Sequence, residues 1–172
     1  KALKLKPNDP HIQLQFARCA LESGKPDEAR DQCNKLLSYN EIDANASKHE
    51  RAIVGEAHTL LAQALLQLGE TELGSQHFQK ATQIAPQSPE PWRAIASFHK
   101  IRGEYDRAYS ALKSGHDNIN GEDSSSKGLL LGDIGELQLT MQDNHTAVES
   151  LKEASILRPT DGHIHHQYGK AL

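Results

Sequence analysis

A short turn recurs four times along this chain of 172 residues, each time between two amphipathic stretches. The copies are ESGKPDEA (22–29), QLGETELG (67–74), IRGEYDRA (101–108) and TMQDNHTA (140–147). Three of them carry a glycine where the first stretch ends, and all four finish on Ala or Gly. A turn that recurs in this way indicates a repeat protein, so the period has to be established before any domain is assigned.

A large residue followed by a small one precedes every turn at a fixed distance. The pairs are Phe16–Ala17, Leu61–Ala62, Ile95–Ala96 and Ile134–Gly135, and a fifth pair in the same phase is Tyr168–Gly169. The small members are spaced 45, 34, 39 and 34 residues apart, which is a period of 34 with insertions of 11 and 5. A bulky side chain packed against a small one lets two helices approach closely, and a glycine in the left-handed conformation ends the first helix. Because one such hairpin cannot bury its apolar face alone, the pattern predicts stacked pairs of helices.

The third repeat resembles the tetratricopeptide repeat, a helix–turn–helix unit of 34 residues. Its sequence is PEPWRAIASFHKIRGEYDRAYSALKSG, and the residues that match the family are Trp92, Ile95, Ala96, Gly103, Tyr105, Ala108 and Leu112. The resemblance implies an all-α fold, a right-handed superhelix (TPR solenoid) of about four full repeats with partial repeats at both ends. Gly74 and Gly115 stand where the family usually has Ala. We expect these two glycines to loosen the local packing.

The phased residues divide the chain into a single array. We expect the end of a preceding repeat (1–7), repeat 1 (8–41), an insertion that extends the next helix (42–54), repeat 2 (55–88), repeat 3 (89–120), a loop (121–127), repeat 4 (128–161) and the first helix of a fifth repeat (162–172). The chain opens without an initiator Met or an apolar signal segment and closes inside a predicted helix. We therefore expect a fragment of a longer protein, from which targeting signals are missing.

The two insertions differ in composition. SKHE (47–50) is a capping-box pattern that places a helix start near Ser47. One apolar stripe then continues through Ile53, Val54, Ala57, Leu61 and Leu65. These features predict a helix from about Lys48 to Leu68 that overhangs its neighbours by roughly two turns; the alternative is a loop followed by a helix of ordinary length. The second insertion, around 118–128, is rich in Gly, Ser and Asp and is typical of a solvated loop.

Composition excludes several classes of function. The net charge of −4 gives no electrostatic reason to expect binding to nucleic acid. No apolar run is long enough for membrane insertion. Two cysteines, Cys19 and Cys33, fit small buried side chains in a reducing compartment such as the cytoplasm. The ten histidines, including HIHH at 163–166, lack the companion ligands of a metal site, and no phosphate loop or nucleophile motif is present. We expect no metal, no cofactor and no catalysis in this chain.

The surface is therefore where function is expected. By resemblance to the family, the first helices of the repeats line a concave groove that binds a peptide or a partner helix. The predicted groove residues are Gln15, Arg18, Thr59, Gln63, Arg93, Ser97, Lys100, Asp133, Glu136, His166 and Lys170. The alternative for each of them is an ordinary solvated polar position. The Lys/Asn constellation with which some family members grip a chaperone's terminal carboxylate is not reproduced here.

The groove residues and the chain ends lead to further expectations. Arg18, Arg93 and Lys100 predict a basic middle of the groove, and Asp133 with Glu136 predicts an acidic wall, which would suit a ligand with an acidic segment followed by a basic one. Uncovered apolar residues at both ends, Leu3, Leu5, Tyr168 and Leu172, predict self-association or fraying. The leading function is a protein-interaction scaffold. The alternative is an accessory module of an enzyme, such as a glycosyltransferase or a peptidase, whose catalytic domain lies outside this sequence.

Overall fold

The computed structural model describes residues 9–39, 46–119 and 123–172. Throughout these three ranges the regular secondary structure is helical, and no strand is formed. The predicted all-α fold class is therefore confirmed. None of the described helices combines the length and the apolar composition needed to cross a membrane. The predicted tail of a preceding repeat (1–7), which includes Leu3 and Leu5, lies outside the described residues.

The chain divides into two compact units, of which unit 1 extends to Ala85. Its described helices are α1 (Pro10–Glu22), α2 (Pro26–Tyr39), α3 (Lys48–Gln67) and α4 (Thr71–Ile84). Each helix packs against the next one along the chain, and α1 also packs against α3. The core is formed by the small and large residues that repeat along the sequence, among them Ala17, Cys33, Leu36 and Leu61.

Unit 2 begins at Pro86. Its described helices are α5 (Pro89–Ile101), α6 (Tyr105–Asn118), α7 (Ser124–Thr140), α8 (Asn144–Leu157) and α9 (Gly162–Ala171). Successive helices pack together, and the first helices of the repeats form a row in which α7 contacts both α5 and α9. Leu112, Leu130 and Leu137 are buried in the core between α5, α6 and α7, and Leu151 is buried under α9.

The recurrent turns have one backbone geometry. Gly24, Gly69 and Gly103 all have a positive φ, between 69° and 85°, in the left-handed region that glycine enters without a steric penalty. Gln142 takes the same place in the fourth turn with a φ of 64°. In that turn the amide of Asp143 still donates to the carbonyl of Gln138, at 2.9 Å, so the turn closes without its glycine.

The 20-residue helix α3 confirms the prediction of a helix that starts after Ser47. The Ser47 hydroxyl accepts from the Glu50 amide at 3.2 Å, and the Glu50 carboxylate accepts from the Ser47 amide at 2.8 Å, which completes the capping box. Positions 48–54 of the predicted insertion are therefore helical, while 42–45 lie outside the described residues. The predicted helix end at Leu68 is one residue too long.

The predicted loop over 121–127 is wrong for residues 124–127, which form the first turn of α7. The carboxylate of Asp123 accepts from the Ser126 amide at 3.0 Å and caps the helix, which offsets the poor helix propensity of serine. Ile119, which the sequence places within the solvated insertion, is buried in the core of unit 2. Positions 120–122 lie outside the described residues.

The expectation that Gly74 and Gly115 loosen the packing is also wrong. A Cβ atom at Gly115 would lie 2.6 Å from Cγ of Trp92, and one at Gly74 would lie 3.0 Å from the Leu66 side chain. The missing side chains therefore let neighbouring residues approach the helix backbone, which makes the packing closer at both positions.

Candidate functional site

Five of the predicted groove residues come together in unit 2. Arg93, Ser97 and Lys100 lie on α5, and Asp133 and Glu136 lie on α7. All five line one cleft of about 190 Å³ between these helices. The floor of the cleft is apolar and consists of Ala96, Ala108, Leu112 and Leu137.

Helix periodicity explains why these side chains converge. Positions 93, 97 and 100 are separated by four and three residues, which places them on one face of α5. Positions 133 and 136 are likewise one turn apart on α7. Ala96 and Ala108 are the small residues of the repeat pattern, and because they fill so little volume, the cleft reaches down to α6.

Two ion pairs cross the mouth of the cleft. The Arg93 guanidinium donates from Nε to Oδ2 of Asp133 and from Nη2 to Oδ1, the second contact being 3.3 Å long. Lys100 Nζ donates to Oε1 of Glu136 at 2.6 Å. The contact with Asp133 raises the pKa of Arg93, and the hydrogen bond from Lys100 lowers the pKa of Glu136. The charged forms of Arg93 and Glu136 are therefore favoured.

These contacts differ from the charge distribution that the sequence predicted for the groove. The separate basic middle and acidic wall are wrong for unit 2, because each cation of α5 is neutralised by a carboxylate of α7. Asp133 and Glu136 lie 40 and 36 residues from their partners, which is beyond the reach of any local sequence pattern.

His163 joins the site, although the sequence analysis placed only its neighbour His166 there. Nε2 of His163 lies 3.3 Å from Oε2 of Glu136, so that Glu136 connects α5, α7 and α9. His166 and Lys170 are exposed on α9 and do not line the cleft. The spacing of three residues between His163 and His166 was the signal that could have indicated His163.

In unit 1 the predicted groove residues differ in solvent exposure. Gln15 and Arg18 are exposed on α1, and Arg18 forms an ion pair with Glu56 of α3. Gln63 is half-buried. Thr59 does not present a polar surface as expected: it is buried, and its hydroxyl donates to the Gly55 carbonyl of its own helix at 2.8 Å. A threonine inside a helix satisfies its hydroxyl in this way when no water or partner reaches it.

The remaining candidates from the sequence are the cysteines and the other histidines. Within the described residues no group of three or more His, Cys, Asp and Glu side chains could hold a metal ion. Burial raises the pKa of the Cys33 thiol to about 12, so it stays protonated and unreactive. Cys19, predicted to be buried, is exposed. Nε2 of His165 donates to the carbonyl of Pro159 at 2.9 Å.

Known protein families match the chain in two places. A family model described as "Tetratricopeptide repeat" matches residues 1–48, and a second model with the same description matches residues 55–88. The chain contains tetratricopeptide repeats within residues 1–88. A search of curated proteins gave no match.

Solved structures share the fold at low sequence identity. PilF of Pseudomonas aeruginosa is 17% identical with a TM-score of 0.68, covering 95% of this chain and 67% of that one. A thermophilic TPR protein of Thermus thermophilus is 20% identical with a TM-score of 0.67, covering 99% of this chain and 84% of that one. YrrB, described as a TPR protein with an unusual peptide-binding site, is 18% identical with a TM-score of 0.58, covering 99% of this chain and 79% of that one.

At these identities the likeness establishes the fold. Tetratricopeptide repeats support a role as a protein-interaction scaffold in general terms, with protein partners.

Proposed function

We propose that the chain is a protein-interaction scaffold that binds a peptide or a partner helix on the first-helix side of unit 2, in the cleft between α5 and α7. The observation that carries the proposal is the composition of this cleft. An apolar floor lies below polar side chains at the mouth, which is the arrangement that binding pockets use for affinity and orientation respectively. The cleft collects five of the residues that repeat phasing assigns to a groove.

Two structural relatives support the general class of partner. YrrB is described as having a peptide-binding site, and a chain of the APC/C hetero-tetramer Cut9–Hcn1 matches with a TM-score of 0.65. That chain is 18% identical, and the match covers 98% of this chain and 29% of that one. Gln15, Arg18 and Gln63 in unit 1 and His166 and Lys170 on α9 remain proposed contact residues outside the cleft.

The test is to block the cleft without disturbing the core. Ser97 is exposed at the mouth of the cleft, so Ser97→Phe places a large ring over the floor while the buried residues keep their contacts. Ser110→Phe is the matched control, because Ser110 is an exposed serine on α6 that does not line the cleft. Circular dichroism of both variants checks that helicity is retained.

The readout is the affinity for peptides selected from a display library against the unmodified chain. We expect Ser97→Phe to weaken selected peptides by at least about tenfold, which corresponds to about 1.4 kcal/mol, and Ser110→Phe to leave them within about twofold. Equal affinities for both variants would show that binding uses another surface.

A further inference from the structure

The charged side chains of the cleft neutralise one another. Its charged side chains are two cations, Arg93 and Lys100, and two carboxylates, Asp133 and Glu136, and they form two pairs with no residual charge. Glu90 also lies close enough to Arg93 to raise its pKa. A purely acidic ligand would have to compete with carboxylates that are already in contact with the cations. A purely basic ligand would find those carboxylates occupied.

Hydrogen-bonding capacity is distributed unevenly between the paired groups. Both oxygens of Asp133 accept from Arg93, and the two oxygens of Glu136 are engaged by Lys100 and His163. An arginine has five N–H donors and a lysine has three. In the described part of the chain, Arg93 uses only Nε and Nη2, and Lys100 Nζ makes one hydrogen bond. The mouth of the cleft therefore offers unused donors of Arg93 and Lys100 beside carboxylate oxygens that each already accept one hydrogen bond.

Ser97 adds a further polar group between the two pairs. It lies on α5 between Arg93 and Lys100, and its hydroxyl makes no hydrogen bond to any described residue. Seven residues separate Arg93 from Lys100, which is about 10.5 Å along a helix. An extended peptide covers that distance with about three residues at about 3.3 Å each.

The apolar floor sets the size of the group that enters. A buried cavity of about 150 Å³ lined by aliphatic residues binds a molecule such as benzene. At about 190 Å³, the space above Ala96, Ala108, Leu112 and Leu137 accommodates one aliphatic side chain.

We propose that the occupant is an uncharged, extended peptide segment that inserts one aliphatic side chain between the two ion pairs. Its main-chain carbonyls accept hydrogen bonds from Arg93, Ser97 and Lys100, and both ion pairs remain intact. This inference rests on the proposed function and specifies its partner. It replaces the ligand with an acidic segment followed by a basic one that the sequence suggests, because the charges that would select such a ligand neutralise each other.

The first experiment analyses the peptides selected from the display library. We expect those that lose affinity for Ser97→Phe to share one aliphatic position with uncharged neighbours. Raising the salt from about 0.05 M to about 0.5 M should change their dissociation constants by less than about twofold, because no ion pair forms across the interface.

The outcomes separate the two proposals. Ser97→Phe-sensitive peptides with a charged residue at a fixed position, and affinities that fall steeply with salt, overturn the uncharged segment while binding in the cleft stands. If no selected peptide is sensitive to Ser97→Phe, both proposals are wrong.

The second experiment removes the carboxylates that neutralise Arg93 and Lys100. Asp133→Asn combined with Glu136→Gln removes the neutralising carboxylates and leaves Arg93 and Lys100 uncompensated. We expect this variant to bind a peptide with Glu beside the aliphatic position at least about tenfold more tightly than the unmodified chain does, and to lose the gain in high salt. Glu56→Gln is the matched control, because it frees Arg18 in unit 1 and should not change the preference. If the unmodified chain already prefers the Glu-containing peptide by that factor, the proposal is overturned.

Discussion

The α3–α4 hairpin of unit 1 and the α5–α6 hairpin of unit 2 hold different rings at the same repeat position. In unit 2 this position is Trp92, whose Nε1 donates to the Pro86 carbonyl, six residues earlier, at 2.9 Å. His165 in the partial repeat does the same with the Pro159 carbonyl. In unit 1 the position is His58, and its Nδ1 lies 2.9 Å from Nδ1 of His77 on α4.

The long helix of unit 1 accounts for the difference. The residue six positions before His58 is Ala52, which lies inside α3, so its carbonyl belongs to the helical hydrogen-bond pattern. Pro86 and Pro159 lie outside helices, and their carbonyls are open to a side chain. The extension of α3 therefore removes the acceptor that the ring uses elsewhere.

The opposing helix differs as well. Gly115 faces Trp92, while Ala81 occupies the corresponding position in unit 1, 34 residues earlier. A large ring is matched by the smallest residue and a smaller ring by alanine. One repeat position therefore changes its hydrogen-bond partner when the preceding helix is longer.

The largest expected effect comes from adding a methyl group at Gly115. Its Cβ would meet the Trp92 ring at 2.6 Å, and the ring is held by its hydrogen bond to Pro86. We expect Gly115→Ala to destabilise unit 2 by about 2 kcal/mol, after the gain of about 1 kcal/mol in helix propensity is included. Urea unfolding followed by circular dichroism at a helix wavelength measures the loss.

Two further variants test whether the ring at position 92 and the residue at position 115 are coupled. Gly169→Ala adds the same methyl group where nothing lies within 4 Å, so we expect no loss. Trp92→His combined with Gly115→Ala gives α5–α6 the residues of α3–α4 and should recover part of the stability. If the double variant is no more stable than Gly115→Ala alone, the ring and the opposing residue are not coupled.

Acidification should weaken unit 1 before unit 2. Burial, His77 and Lys80 lower the pKa of His58 to about 4 from its usual value of 6.5, so folding favours the neutral ring. On the other side of α3, Glu56 pairs with Arg18 of α1 and interacts with the Cys33 thiol of α2, and the His49 ring lies 5.3 Å from the His11 ring of α1. The stability that depends on the neutral His58 is complete above pH 6.5 and is lost as the pH falls towards 4. We expect a loss of about 1–2 kcal/mol, reduced from the full shift because the ring is partly exposed.

Hydrogen exchange of the α4 amides at pH 7 and pH 5 measures this loss, after correction for the intrinsic exchange rate. Unit 2 supplies the internal control, because His99 contacts the Glu104 carboxylate, whose pKa is lowered to about 2, chiefly by the Arg102 and His99 hydrogen bonds. That contact is retained at pH 5. His58→Gln should reduce the acid sensitivity of α4 and leave the part that comes from His77, whose pKa is lowered by burial and Lys80. A variant that keeps the full sensitivity would assign the effect to other groups.

A smaller effect is expected from Trp92→Phe. The substitution keeps an aromatic ring above Gly115 but removes the N–H group that donates to Pro86. We expect a loss of about 1 kcal/mol, the usual value of a neutral hydrogen bond in a folded protein. The measurement is urea unfolding of unit 2 monitored by circular dichroism at a helix wavelength. An unchanged midpoint would mean that water replaces the indole at the Pro86 carbonyl.

The smallest effects should come from the ion pairs between first helices. Arg18→Gln in unit 1 and Arg93→Gln in unit 2 each remove one pair between an exposed arginine and a half-buried carboxylate, and each should cost less than about 1 kcal/mol. Thermal unfolding of both variants tests this expectation. A much larger loss for Arg93→Gln would show that the cleft pairs hold α5 and α7 together.

The features that the sequence predicted correctly depend on neighbouring residues. The start of α3 could be read from Ser47 and Glu50 because both sides of the capping box lie within one turn. The three turn glycines could be read because a positive φ is a property of one residue. The cleft residues of α5 were predicted from helix periodicity, which is also local.

The features that the sequence missed depend on residues far apart in the chain. Ile119 in the polar insertion after α6 is buried only because unit 2 offers an apolar surface. The burial of Thr59 follows from the helices packed around α3. None of these contacts leaves a pattern within one turn of helix.

By itself, the sequence of this protein determined the helices, their turns and the repeat phase, because backbone hydrogen bonds and caps connect residues at most a few positions apart. Only the tertiary structure decided which charges meet. Arg93 and Asp133 are 40 residues apart, and they neutralise each other because α5 and α7 pack side by side. The physical reason is that electrostatic interaction depends on distance in space. The charge balance of the cleft therefore depends on how the repeats stack.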